Sequence, residues 1–303
     1  MNGFEKIEHK LDFVKIRESV LSGCSTEYAK NRVNSEEISI NAKEIELRLT
    51  LTDEMRLICL FETSFPSQGF IDCIGFLKPL EIQSGVISLD NLVKLNAFIG
   101  VLKEILNFFT NCAPGKYPNL KKEAEPILFF PEIKRRLETI LDKFGEIKDS
   151  ASDELYEIRR GIREKEGSVS RRIASVIKRA QAEGILEEGV TSSIHDGHVL
   201  IPVNASSKRK LKGIVYDESA SGKTAFIEPI EVIELNNEIR ELYFAQQREI
   251  AKILLQFSDF IRPYIADLVN SAIFMGEIDF IRAKALCAIK MEAGKPIISR
   301  DNE

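Results

Sequence analysis

The sequence predicts a mainly α-helical protein in which two long antiparallel helices carry a small β-rich insert. Three observations predict it. Apolar residues recur at helical spacing from the start of the chain to about residue 110. Two later runs of about 29 residues each carry a narrow apolar seam flanked by charge, the pattern of an exposed helix packing on a single partner. Between those runs, about fifty residues alternate β-branched and aromatic stretches with turn residues.

The elements follow in order. "LDFVKIRESVL" sets Leu11, Phe13, Val14, Ile16, Val20 and Leu21 on one broad face. "AKEIELRLTLTDEMRLICLF" repeats this with Ile45, Leu49, Met55 and the 57–61 run, and "SFPSQGF" punctuates it. A helix then opens on a cap at Ser88 or Asp90 and runs to about Phe109. After the loop "CAPGKYPN", the pattern predicts a helix from Pro131 to Phe144. The first long seam joins Leu155, Ile158, Ile162, Val169, Ile173, Val176 and Ala180. The second joins Val232, Leu235, Ile239, Leu242, Ile250, Ile253, Phe257 and Phe260. Each helix would reach roughly 40 Å at 1.5 Å per residue. In the insert, "HVLIPV" reads as a strand, with Pro202 marking an edge position. "LKGIVYDES" and "TAFIEPIEV" supply two more strands, joined by the Ser219–Gly222 turn. The closing "GEIDFIRAKALCAIKMEAGKPIISRDNE" reads as a helix and an extended tail. The predicted divisions are a helical core over 1–150, an outgoing helix over 151–190 and a β-rich tip over 191–230. A returning helix over 231–261 and a core helix with its tail over 262–303 complete them.

Composition narrows the function. The chain has 303 residues, 29% of them charged, the balance of a folded, helix-leaning protein. No apolar run reaches the eighteen or so residues of a membrane span, and the charged first residues do not form a secretion signal. Five cysteines at 24, 59, 73, 112 and 287 form no C-x-x-C pair, which argues for small core residues in a reducing cytoplasm rather than disulfides or zinc. Net charge is −5, but residues 159–182 hold eight Lys/Arg against two Glu, and residues 204–225 five against two acids. The rest of the chain therefore carries −14. A basic region on an acidic body is an electrostatic footprint for a polyanion; a solvated helix face is the plainer reading of the same charges.

Two motifs suggest chemistry. Gly222-Lys223-Thr224 matches the end of a nucleotide-binding P-loop, which needs a second glycine five residues before Gly222. Asp217 stands there with Glu218 beside it, so two carboxylates would meet the phosphate. "HDGH" at 195–198 offers two histidines, with His9 the only other in the chain. Without a third ligand, the pair is read as the opening of a strand and not as a metal site. Ser219, Ser221 and Thr224 have no Ser-His-Asp arrangement beyond the proximity of His198. No catalytic residue and no metal is assigned to this chain.

"DGHVLIPV", "GIVYDESASGKTAFIEP", "ELNNEIREL" and "EIDFIRAKA", with "FPSQGFIDCIGFLKPLEIQSGVIS" before them, together resemble the second, non-mismatch branch of the bacterial MutS-like family. The match is collinear from about Leu11 to Ala288. The resemblance implies a helical core, two lever helices and a clamp inserted between the levers. It implies that "SASGKT" belongs to the clamp as a turn between strands. An ATPase domain using ATP and Mg, and a small nuclease domain, are expected to follow residue 303, so the chain reads as a fragment. Full-length relatives are expected to be cytoplasmic homodimers that bind duplex or branched DNA and suppress recombination. An alternative within the resemblance is a coiled-coil module that engages stalled or collided ribosomes and their rRNA.

The candidate nucleic-acid contacts are Lys208, Arg209, Lys210 and Lys212, expected in a hairpin loop at the clamp end. There they could neutralise backbone phosphates without reading bases. Arg171, Arg172, Lys178 and Arg179 on the first long helix form a second tier. An ordinary solvated turn and a solubilising helix face are the other readings. Tyr216 and Phe226 are the only aromatics near enough in sequence to stack on bases, so duplex or branched backbone contact is favoured over single strands.

Overall fold

The computed structural model describes Glu8, residues 10–195 and residues 197–298. The helices α1 (Phe13–Gly23), α2 (Glu27–Ser35), α3 (Ala42–Phe61), α4 (Ile74–Leu77), α5 (Leu89–Asn111), α6 (Pro118–Ala124) and α7 (Pro131–Ile140) come first. The long helix α8 (Asp153–Ala182) leads to strands β1 (Ser193–His195), β2 (His198–Asn204), β3 (Gly213–Glu218) and β4 (Thr224–Pro229). Two helices, α9 (Ile230–Ile261) and α10 (Ile265–Lys290), follow. The mainly α class with a small β insert is observed. The chain divides into two compact units, Met1–Glu138 with Leu254–Glu303, and Thr139–Ile253.

In the first unit, α10 is the central helix. It is buried along almost its whole length, from Ile265 to Cys287, and packs against α1, α2, α3 and α4. The fully buried Asp279 on α10 accepts the Ser25 and Thr26 N–H groups at 2.8 Å and the Thr26 hydroxyl at 3.0 Å. Thr26 in turn accepts from Ala29 N–H at 3.1 Å, capping α2. Gly276 is required there, because a Cβ would lie 2.5 Å from the Tyr28 ring. Ser88 caps α5, and α5 buries Leu92, Leu95, Phe98, Ile99, Leu102 and Ile105 on one face. The broad face expected for α1 is narrower: Val20 is buried, but Phe13 is exposed and Leu11 precedes the helix. All five cysteines are free thiols; burial pushes the Cys73 thiol upward, as for a packing residue.

In the second unit, the chain leaves α7 earlier than the predicted Phe144. The Asp142 carboxylate accepts Phe144 and Glu146 N–H at 2.8 and 2.9 Å, closing a turn with Gly145 at φ +85° and a Leu141–Ile147 bridge. That local competition for backbone donors ends the helix. Ser152 then caps α8 by accepting from Leu155 N–H at 3.1 Å. Across to α9, Ser152 donates to Glu249, Lys252 pairs with Glu154, and Arg159 donates to Gln246. Farther along, Lys165 pairs with Glu238 and Arg172 donates to the Glu231 carbonyl. The partner numbers fall on one helix as they rise on the other, so the two run antiparallel. A Cβ on Gly161 would sit 3.4 Å from Leu242, at ordinary contact distance from α9.

The sheet is antiparallel in the order β1-β2-β4-β3. β1 pairs β2 only as far as Leu200, and β4 pairs it from Ile201. Pro202 thus lies where β2 has one neighbour, and its missing N–H costs no ladder bond. A bulge between Val215 and Asp217 breaks the β3–β4 register. Val169, Ile173, Val176 and Ala180 of α8, Ile201 and Val203 of β2, Ile227 of β4, and Val232 and Ile239 of α9 close one continuous core. Among the described residues, no helix is long and apolar enough to cross a membrane.

Candidate nucleic-acid interface

The strand order corrects the predicted hairpin loop. β2 and β3 are not neighbours, because β4 lies between them, so residues 205–212 form a crossover rather than a hairpin. Both ends of the crossover are pinned. Asn204 Oδ1 accepts from the Ser206 N–H at 3.1 Å and hydroxyl at 2.8 Å, and Ala205 N–H donates to the Lys223 carbonyl at 2.9 Å. At the far end Leu211 is only 6% exposed and enters the core, and the Lys212 carbonyl accepts from Ile230 N–H at 3.3 Å.

Leu211 divides the four predicted cations. Lys208, Arg209 and Lys210 stand before it. Lys208 pairs with Glu218 at 2.8 Å in a solvent-washed contact, which contributes little. Arg209 and Lys210 are exposed, and neither has an ion pair among the described residues. Beyond the anchor, Lys212 joins a second group. Arg179 pairs with the Glu231 carboxylate, Arg172 holds the Glu231 carbonyl at 3.0 Å, and Lys212 acts on the same carboxylate. Burial tends to raise the Glu231 carboxyl, but the Arg179 hydrogen bond, its own N–H and Lys212 prevail and hold it below the usual range. Arg172 and Arg179 are therefore already engaged in joining α8 to the start of α9. Arg171 donates to Ser168 Oγ at 3.0 Å, and Lys178 is exposed.

The predicted stacking aromatics are partly occupied. Tyr216 packs on His198 with ring centroids 4.7 Å apart, and Phe226 packs on His195 at 4.5 Å. His195 and His198 are directly paired across the β1–β2 turn; His9 and Asp196 lie outside the described residues. His198 Nδ1 sits 2.8 Å from Glu228 Oε1, which also accepts from Asn236 Nδ2 at 2.6 Å. All three residues are buried. This cluster ties β2, β4 and α9 together, and sequence reasoning missed it. Its only signal was an asparagine beside the α9 seam and a glutamate in an otherwise apolar strand. Among the described residues, no group of three His, Cys, Asp or Glu is arranged to hold a metal.

"SASGKT" closes the β3–β4 hairpin. Ser219 N–H donates to the Thr224 carbonyl at 2.8 Å, Ser219 Oγ accepts from Thr224 N–H at 3.0 Å, and Gly222 has φ +66°. A phosphate cradle of the P-loop kind needs a strand, a loop and then a helix N-terminus; here two strands flank the turn. The Ser219 and Ser221 hydroxyls lie 3.3 Å apart, and the Nδ1 face of His198 is taken by Glu228.

The chain is 30% identical over 296 residues to the protein named endonuclease MutS2 of Geobacillus sp. (strain WCH70), covering 97% of this chain and 38% of that protein. It is 29% identical over 301 residues to endonuclease MutS2 of Ligilactobacillus salivarius (strain UCC118), covering 99% and 38%. It is 30% identical over 297 residues to endonuclease MutS2 of Streptococcus equi subsp. equi (strain 4047), covering 98% and 38%. The chain thus spans 38% of the length of these relatives. No family model matches it.

Proposed function

The chain belongs to the MutS2 branch of the MutS-like family, and on that premise we propose that its four-stranded unit is a nucleic-acid clamp that holds duplex or branched DNA by the phosphate backbone. One observation carries the reading. Arg209 and Lys210 stand exposed, without an ion pair among the described residues, on a crossover fixed at both ends, at Asn204–Ala205 and at Leu211. Cations placed so can displace condensed counterions at little ordering cost. The crossover itself, residues 205–212, carries no aromatic side chain, and Tyr216 and Phe226 on the neighbouring strands each pack on a histidine. That supports backbone contact over base stacking.

The cations divide by role in this reading. Arg209 and Lys210 meet phosphate first, with Lys208 released from Glu218 when the polyanion arrives. Lys178 and Arg171 extend the path along α8. Lys212, Arg172 and Arg179 act chiefly as struts around Glu231. The remaining activities belong to the proposal about the longer relatives: ATP hydrolysis with Mg, cleavage, suppression of recombination, pairing into a homodimer and residence in the cytoplasm. In that scheme this span supplies binding and no catalytic residue.

The test is binding of the chain to a fluorescent duplex, a four-way DNA junction and ribosomes, with an Arg209→Glu/Lys210→Glu variant alongside. The reading expects DNA affinity that falls as salt rises and a loss of tenfold or more in the variant. Ribosome binding retained without DNA binding would replace DNA with the ribosome as the target. DNA binding unaltered in the variant would move the contact elsewhere.

A further inference from the structure

The lysine of the P-loop-like tripeptide stands in a cleft that its sequence context does not announce. The register pairs Asn204 with Thr224, and the Ala205 N–H holds the Lys223 carbonyl at 2.9 Å. The end of β2, the start of β4 and the first turn of the crossover therefore meet at one point. Beside it the segment 184–190 completes a cleft of about 430 Å³, lined among others by Glu187, Asn204, Ser206, Ser207, Lys223 and Thr224.

Its polar side chains include one ammonium, three hydroxyls, one amide and one carboxylate. Asn204 uses only Oδ1 internally, both times as an acceptor from Ser206, so its Nδ2 faces no acceptor among the described residues. Ser207 Oγ, Thr224 Oγ1 and Lys223 Nζ likewise have no acceptor or ion pair among the described residues. One ammonium with two hydroxyls and an amide is a donor set for a tetrahedral oxyanion. Glu187 is the one carboxylate of the lining and works against an anion there.

We infer that this cleft is a phosphodiester-binding subsite, with Lys223 as its point charge and Asn204, Ser207 and Thr224 as its hydrogen-bond donors. It extends the same strand of nucleic acid contacted by Arg209 and Lys210. The inference rests on the clamp reading. Continuity with the crossover selects its ligand: the cleft and the exposed Arg209 and Lys210 share the Asn204–Ser207 turn, so a polyanion crossing one end of the sheet reaches both. A free nucleotide would offer the same phosphate chemistry but would not need that continuity.

The test measures duplex DNA affinity of the intact chain from low to physiological salt for the wild type and for Lys223→Gln, Glu187→Gln and Arg209→Glu/Lys210→Glu, with ATP and inorganic phosphate as separate titrants. Circular dichroism checks that each variant is folded. The subsite predicts a several-fold loss of affinity in Lys223→Gln and a salt slope shallower by about one phosphate contact. It also predicts tighter binding in Glu187→Gln, as the carboxylate of the lining is removed. Wild-type and Lys223→Gln chains with equal affinity and equal slope, while Arg209→Glu/Lys210→Glu binds poorly, would overturn the subsite and leave the clamp reading intact. No DNA binding by the wild type would overturn both. Saturable ATP binding lost in Lys223→Gln would assign the cleft to a free nucleotide instead.

Discussion

Replacing His198 with leucine removes one of two donors that hold a buried carboxylate. Glu228 is 5% exposed, and its Oε1 takes both His198 Nδ1 at 2.8 Å and Asn236 Nδ2 at 2.6 Å. A hydrogen bond to a charged group contributes about 1.5–3 kcal/mol, and a buried carboxylate that loses one of its two partners loses part of the compensation for its desolvation. His198→Leu should therefore destabilise the sheet by about 2–3 kcal/mol at neutral pH, including the lost packing on Tyr216. The same physics sets a second outcome. Replacing His198, Glu228 and Asn236 together with leucine removes the charge, both donors and the Asn236 Oδ1, which is buried without a partner. That triple variant should return to within about 1 kcal/mol of the wild type, because a well-packed apolar substitute for a buried ionic cluster is close to neutral. Amide hydrogen exchange at β2 and β4 is the right assay, since it reads the opening of the sheet rather than of the other compact unit. A single variant within about 0.5 kcal/mol of the wild type, or a triple variant worse than the single, would refute this role for the buried carboxylate.

Packing and charge set three further outcomes. Gly213→Val should detach β3, because even a Cβ there would fall 2.2 Å from the Glu228 carbonyl; exchange should quicken in β3 while β1 and β2 keep their protection. Ile173→Ala, at the centre of the α8–sheet core, should cost about 2–5 kcal/mol by cavity formation, read from the same amides; a loss under about 1 kcal/mol would mean the core collapses around the gap. Lys284 lies over the Phe280 ring at 4.2 Å, and its ammonium is pushed down to about 8, first by burial, then by Arg48, with Arg32 adding and Glu277 opposing. Below that pH the folded chain carries the full cost of the buried charge. From about 8 to the ordinary 10.5 the unfolded chain binds more protons, so this lysine makes stability rise with pH. Comparing urea midpoints, wild type against Lys284→Met, should show that rise only in the wild type.

The two long helices are readable in the sequence because each offers one partner-facing seam. Leu155, Ile162, Val169, Ile173 and Val176 are buried as their spacing requires, with Ile158 half-buried at the margin. The helix predicted to reach Phe144 stops at Ile140, since Asp142 can satisfy the same backbone donors locally and periodicity does not register that competition. Strand existence is readable from β-branched runs, but strand order is not. Nothing in "SSKRKLKG" distinguishes a hairpin from a crossover, and the outcome depends on Leu211 entering a core built from distant residues. For the same reason, the eight candidate cations look alike in the sequence. Only the fold shows that Glu231 engages Arg172, Arg179 and Lys212 while Arg209 and Lys210 stay free of ion pairs among the described residues. The P-loop pattern says nothing of the surroundings of Lys223, which the β2–β4 register creates.

If the crossover beside β2 meets nucleic acid, its amides should report the contact. Amide exchange across the whole chain, with and without a saturating DNA duplex at low salt, tests this most directly. Protection concentrated in residues 204–212, with the 219–224 turn beside them, is the predicted result. DNA binding that leaves those amides unchanged while protecting the helices of the first unit would contradict it.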